Sequence, residues 1–264
     1  MAVTTPRLTS GNPALGHRSA EYFAETDVRT MSVLGTAFKT LLLLLFLVAG
    51  GAWGWASATK PVATDIGSGY GNTTVTIPGG FWLASFAALF VAIMIAVAPR
   101  RAALLGFVYA LLEGYVLGAI SAMFNAQTEG IVAAAIVGTV CVFVVALFLY
   151  VTRLVRPTQK MAFGVIVGIG GLALFYLFVW IISIFSWGFL YSDNLRTIGI
   201  VVSIIAVVLA ALSLTLDFGT IEAGVETGAP RFLEWYCAYA LMVTLIWLYI
   251  TILRLLAWLL VARR

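Results

Sequence analysis

The chain has 264 residues, 62% of them hydrophobic and 10% charged, with a mean hydropathy of +1.08. A water-soluble domain of this length cannot hide so much apolar surface, which leaves the class of polytopic membrane proteins. The net charge of +4 is no sign of a nucleic-acid partner, because the basic residues are dispersed over a tail and short connections.

Residues 1–33 are polar, with Pro6, Pro13 and scattered charges, and read as a disordered cytoplasmic tail. Residues 34–264 read as one transmembrane domain. A helix needs about 20 apolar residues to cross a bilayer. Seven runs qualify, near 35–57, 80–98, 102–124, 130–152, 161–186, 197–217 and 235–262. An alternating strand pattern is absent, so the expected fold is an all-α seven-helix bundle and not a barrel.

The first run ends in Ala56-Ser57-Ala58, similar to a signal-peptidase site, but the long polar tail before it fits an uncleaved anchor better. Connection 58–79 carries Pro61, Gly67, Gly69, Gly71 and Pro78 and reads as a flexible external loop. Its Asn72-Thr73-Thr74 matches a glycosylation acceptor and is given no weight without a eukaryotic source. The turns at Pro99-Arg100-Arg101 and at 125–129 are tight, making runs two to four antiparallel neighbours. In the fifth run, Gly164, Gly168 and Gly171 leave a small-residue face suited to close helix packing.

Charge sets the orientation. Arg7, Arg18, Arg29, Lys39, Arg100, Arg101, Arg153, Arg156, Lys160 and Arg231 fall on one side, against Lys60 and Arg196 on the other. By the positive-inside rule the N-terminus is cytoplasmic, and an odd number of spans puts the C-terminus outside. Arg263 and Arg264 oppose that last step and leave a re-entrant final run open.

The polar inventory is small enough to exclude much chemistry. The only histidine, His17, lies in the tail, which removes an intramembrane Ser-His dyad and paired-histidine haem ligation. Neither a His-Glu-x-x-His run nor a Gly-Lys-Ser/Thr phosphate loop is present. Cys141 and Cys237 stand alone inside separate runs and make no metal or disulfide framework. An intramembrane aspartyl protease needs two facing aspartates, and only Asp217 sits deep enough. No enzyme activity, no resident metal and no cofactor are expected.

Three ionisable positions point to function, since charge at membrane depth is expensive. Glu113 lies near the middle of the third run and must be protonated or paired with a cation or water. Arg254, inside the last run, is its natural partner, with the alternative that Arg254 snorkels outward and Glu113 holds a structural water. Asp217 closes the sixth run at the expected membrane boundary. Glu222, Glu226 and Glu234 follow it with only Arg231 among them, an acidic connection on an otherwise basic side. Clustered carboxylates favour cation binding or titration near neutrality, whereas a solvated loop paired with Arg153, Arg156 and Lys160 is the simpler reading.

The segments Asp217-Phe218-Gly219-Thr220-Ile221-Glu222, Gly228-Ala229-Pro230, Glu234-Trp235-Tyr236 and 248–256 resemble the bacterial branch of the transmembrane Bax inhibitor motif family. Asn12-Pro13-Ala14 and the 112–118 segment of the third run add to the match. The resemblance implies six helices around a central seventh. It also implies a proton-sensitive cation leak, mainly for calcium, and in some bacterial relatives control of a membrane protease; eukaryotic relatives suppress cell death. In the family an aspartate ending helix six pairs with another on helix seven, about ten residues before an arginine. Asp217 and Arg254 resemble the first aspartate and the arginine, but Thr244 stands where the second aspartate belongs. A threonine can hydrogen-bond Asp217 without sharing a titrating proton.

The function expected is therefore a passive cation leak in a bacterial cytoplasmic membrane, with calcium as a transient passenger. Asp217 and Thr244 would line the gate, while Glu113 and Arg254 hold helices together. The alternative is a non-conducting regulator of a membrane protease or another integral partner. A secondary transporter ranks third, since broken-helix Gly/Pro pairs are absent.

Overall fold

The computed structural model describes residues 30–61, 73–155, 157–185 and 193–261. The tail before Thr30, the Asn72 motif, the loop glycines Gly67, Gly69 and Gly71, Arg156, Arg263 and Arg264 lie outside the described residues, as do the side chains of Lys60 and Arg196.

Each apolar run forms a helix: α1 (Val33–Ala58), α2 (Phe81–Val97), α3 (Ala102–Gln127), α4 (Ile131–Val151), α5 (Gln159–Phe185), α6 (Asp193–Glu226) and α7 (Leu233–Val261). Six are long and apolar enough to cross a membrane, and α2, with 17 residues, is shorter. The described residues also contain one small ribbon, β1 (Thr59–Pro61) antiparallel to β2 (Thr73–Val75), which ties down the connection after α1. Three-residue strands are too short to show an alternating pattern in sequence.

Successive helices reverse direction, so the starts of α1, α3, α5 and α7 gather at one end, the near end. Three contacts fix this. The Met31 amide donates to the Ala229 carbonyl at 2.8 Å, Arg100 lies over the Phe232 ring at 5.8 Å, and Pro157 packs against Gly219.

Helix α7 is the hub. It packs along α1, α3, α4 and α6 and meets α5 through Arg254, whose guanidinium lies 4.8 Å from the Tyr176 ring centre. Helix α2 leans on α3 from outside. The core on the α6 side of α7 gathers Leu214, Phe218, Leu248 and Leu253, and that on the α1 side gathers Leu43, Ile95, Met242 and Ile246. Leu83, Leu104 and Val97 point outward at 75%, 73% and 80% exposure, as lipid-facing residues should.

The tightest joint is between the parallel helices α1 and α3. A Cβ on Gly50 or Gly54 would strike the carbonyls of Leu111 or Tyr115, and one on Gly114 or Gly118 those of Leu47 or Gly51. The four glycines, spaced by four on each helix, let the backbones touch, which is how helices associate when lipid removes the hydrophobic drive. The close packing expected in α5 holds at Gly168, where a Cβ would come within 2.7 Å of the Leu209 side chain of α6, but not at Gly164 or Gly171, where one would meet nothing within 4 Å. Glycine spacing alone does not tell which face has a partner.

Two expected boundaries also change. Helix α6 does not stop at Asp217 but runs on to Glu226, because Phe218 and Ile221 stay buried in the core. Asp217 thus lies nine residues inside the helix, roughly 13 Å from its end. Helix α7 is continuous over 29 residues, roughly 43 Å at 1.5 Å per residue. It is a full span and not a re-entrant hairpin.

Candidate functional site

Each polar group inside the bundle has a distinct surrounding. On α6, Asp217 faces α7, where the Thr244 hydroxyl donates to its Oδ2 at 2.7 Å. That hydroxyl also lies 3.2 Å from the Ala240 carbonyl of its own helix. A hydroxyl has one proton, and the shorter contact, to the carboxyl group, is the stronger. Cys237, two turns earlier on α7, is within electrostatic range of Asp217. The side chain of Asp217 is half-buried, so the site is a carboxyl held by one threonine well inside the bundle.

Glu113 does not join this site. It lies on α3, within electrostatic range of Tyr109 and Tyr239, whose rings meet edge to face at 5.0 Å. The expected ion pair with Arg254 is absent among the described residues. Depth explains it. Tyr109 meets Tyr239 and Ser121 meets Tyr249, so Glu113 is level with a residue near Met242. Arg254 is about 12 residues further along α7, roughly 18 Å at 1.5 Å per residue, beyond the reach of both side chains. Arg254 instead covers Tyr176 of α5.

The three glutamates separate as well. Glu222 accepts a hydrogen bond from the Tyr150 hydroxyl of α4. Glu226 is exposed at the end of α6. Glu234 is 2% exposed and forms an ion pair with Lys39, itself 8% exposed. Its other oxygen, Oε1, accepts from the Ser32 amide at 2.8 Å and the Ser32 hydroxyl at 3.0 Å. Ser32 in turn caps α1, its Oγ accepting from the Gly35 amide at 3.0 Å. Glu222 and Glu226 thus sit on the last turns of α6 and Glu234 on the first turn of α7, not on a common loop. Among the described residues no three His, Cys, Asp or Glu side chains gather as a metal-binding group.

A family model described as Bax inhibitor 1 like matches residues 12–260. The chain belongs to the Bax inhibitor 1 like family. No curated protein matches the chain closely enough to count as a relative. This Bax inhibitor 1 like protein is a multi-pass membrane protein whose outer helix faces meet lipid.

Three features of this family member escape the sequence. The Lys39–Glu234 pair joins residues 195 apart; its one sequence signal is that Lys39 falls within an apolar run, two turns past its start, where a lone cation needs a partner. Ser121 and Tyr249 share a hydrogen bond of 2.8 Å between α3 and α7. Thr30 bridges to Pro230, so the residues just before α1 are stitched to the α6–α7 connection.

Proposed function

We propose that this Bax inhibitor 1 like protein is a passive cation leak pathway, calcium included, in a bacterial cytoplasmic membrane, with its gate at the α6–α7 joint. The observation that carries the proposal is the Thr244–Asp217 hydrogen bond of 2.7 Å, which ties two helices together through an aspartate well inside the bundle. Opening the pathway would require α6 to part from α7, and that bond, worth about 0.5–1.5 kcal/mol net, is the polar contribution to holding them together beside the shared apolar core. The proposal assigns the chain no enzymatic step and no resident cofactor.

The test is calcium entry into liposomes loaded with a calcium dye, measured on either side of neutral pH for wild type, Asp217→Asn and Thr244→Val. Protein-dependent flux that changes with Asp217→Asn supports the gate; identical flux in all three proteins at every pH removes Asp217 from it. The rival reading is a non-conducting regulator of a membrane protease or another integral partner. It is favoured by the apolar linings of a groove between α1 and α4 and of a smaller one between α4 and α6, lined by Cys141, Val145, Val207 and Ala211, neither of which holds a charged side chain to carry an ion. Absence of flux above empty liposomes at any pH selects that reading.

A further inference from the structure

We infer that the groove between α1 and α4 is a lipid site that takes phospholipid acyl chains from the surrounding bilayer. No packed interface joins α1 to α4 among the described residues, although both rest on α7. The gap between them is a groove of about 740 Å³. Leu41 and Ala52 stand on one wall, Ile136 and Val140 on the other, and Gly118 and Tyr249 form part of the floor. Ile136 and Val140 are 51% and 55% exposed, so the mouth opens sideways, toward lipid rather than toward either end of the bundle.

The lining is suited to hydrocarbon and to little else. It contains no Asp, Glu, Lys, Arg or His among the described residues. Its hydroxyls already have partners: Thr40 donates to the Thr36 carbonyl at 3.0 Å, Thr139 to the Ala135 carbonyl at 2.8 Å, and Ser121 pairs with Tyr249. Water entering there would find no unsatisfied group to hold it.

Dimensions decide between an acyl chain and a protein helix. From Ala37 to Trp55 the groove follows α1 for roughly 27 Å at 1.5 Å per residue, close to the ~30 Å of bilayer hydrocarbon. Spread over that length, and adding the ~1.4 Å radius of a filling atom on each side, 740 Å³ is a channel ~9 Å wide, narrower than the 10–12 Å of a helix with its side chains. A polymethylene chain, whose carbons pack at roughly 4 Å, fits it. The length admits chains entering from both leaflets, end to end. This site is independent of whether the protein conducts.

The experiment uses the full chain in phosphatidylcholine vesicles that contain a phosphatidylcholine with a photoreactive diazirine in mid-acyl chain. After irradiation, adducts are mapped by peptide mass spectrometry. Adducts around Ala52, Ile136 and Val140 should exceed severalfold those on Leu83 and Leu89, which face lipid on α2 at 75% and 59% exposure. Ala52→Trp and Ile136→Trp, from opposite walls, should each obstruct the groove at their own level and deplete the adducts there while leaving those on α2 unchanged, the latter serving as the folding control. Adducts distributed in proportion to exposure, or unaltered by either tryptophan, would overturn the site, as would a chain-to-chain cross-link through the groove. The wild-type ratio alone decides the matter if neither variant folds.

Discussion

A threonine hydroxyl points its one proton at Asp217 and has no charge of its own to lose, so within this pair only Asp217 can titrate. Two facing carboxylates behave differently, because like charges at contact distance hold a proton between them and separate when it leaves. Thr244→Asp would create that arrangement where Thr244 now lies 2.7 Å from Asp217. If the α6–α7 joint is the gate, calcium flux into dye-loaded liposomes should be more strongly pH-dependent in Thr244→Asp than in wild type. A pH profile superimposable on the wild type would rule the joint out. Thr244→Val, which deletes the donor, should lower stability by about 1–3 kcal/mol, read from the melting of the detergent-solubilised protein. The Lys39–Glu234 pair makes a separate case. Both partners are buried, so removing Glu234 strands Lys39, at a cost of about 3–5 kcal/mol; removing Lys39 costs less, because Glu234 keeps Arg231 at 3.7 Å and its two bonds from Ser32. Lys39→Met and Glu234→Leu should each melt below wild type, Glu234→Leu by more, and the double variant above both. A double variant no more stable than the worse single would show that the pair is not coupled.

At the scale of elements, the α1–α3 joint depends on what is missing from four side chains. Gly114→Ala would press a methyl group against the Leu47 carbonyl, backbone that cannot rotate away, so the helices must move apart. Gly171→Ala, in open space on α5, should instead stabilise by up to about 1 kcal/mol through helix propensity. Opposite shifts in melting temperature are the expected outcome, and equal shifts would contradict the packing. Sequence reading found all seven helices because each is a long apolar run, and it placed most ends within a few residues. It stopped α6 at the first charge, whereas Phe218 and Ile221 carry the helix onward on the buried face. It also found the residue opposite Asp217, but only through resemblance to the family pattern. Glu113 and Arg254 misled it because composition reports that two charges are inside a membrane, not their level or the direction they face. The partner of Lys39 was equally out of reach, since it depends on how α1 and α7 meet.

For the whole molecule, the described basic residues provide a test of orientation that needs no functional assay. Lys39, Arg100, Arg101, Arg153, Lys160 and Arg231 fall at the near end, where the α2–α3, α4–α5 and α6–α7 connections lie, against Lys60, Arg196 and Arg254 toward the far end. By the positive-inside rule, an asymmetry of that kind predicts that the near end faces the cytoplasm. Because α7 is an unbroken helix of 29 residues, its two ends must emerge on opposite faces. In a variant without Cys141 and Cys237, single cysteines at Arg101, Thr227 and Thr128 can be labelled with a membrane-impermeant maleimide in intact cells. The geometry puts Arg101 and Thr227 in near-end turns and Thr128 in the far-end connection between α3 and α4. Only Thr128→Cys should react from outside, while Arg101→Cys and Thr227→Cys should react after lysis. Labelling of Arg101 and Thr227 in intact cells would invert the whole bundle and put Asp217 nearer the external face. Labelling of Arg101 and Thr227 from different sides would instead break the alternation of the helices themselves.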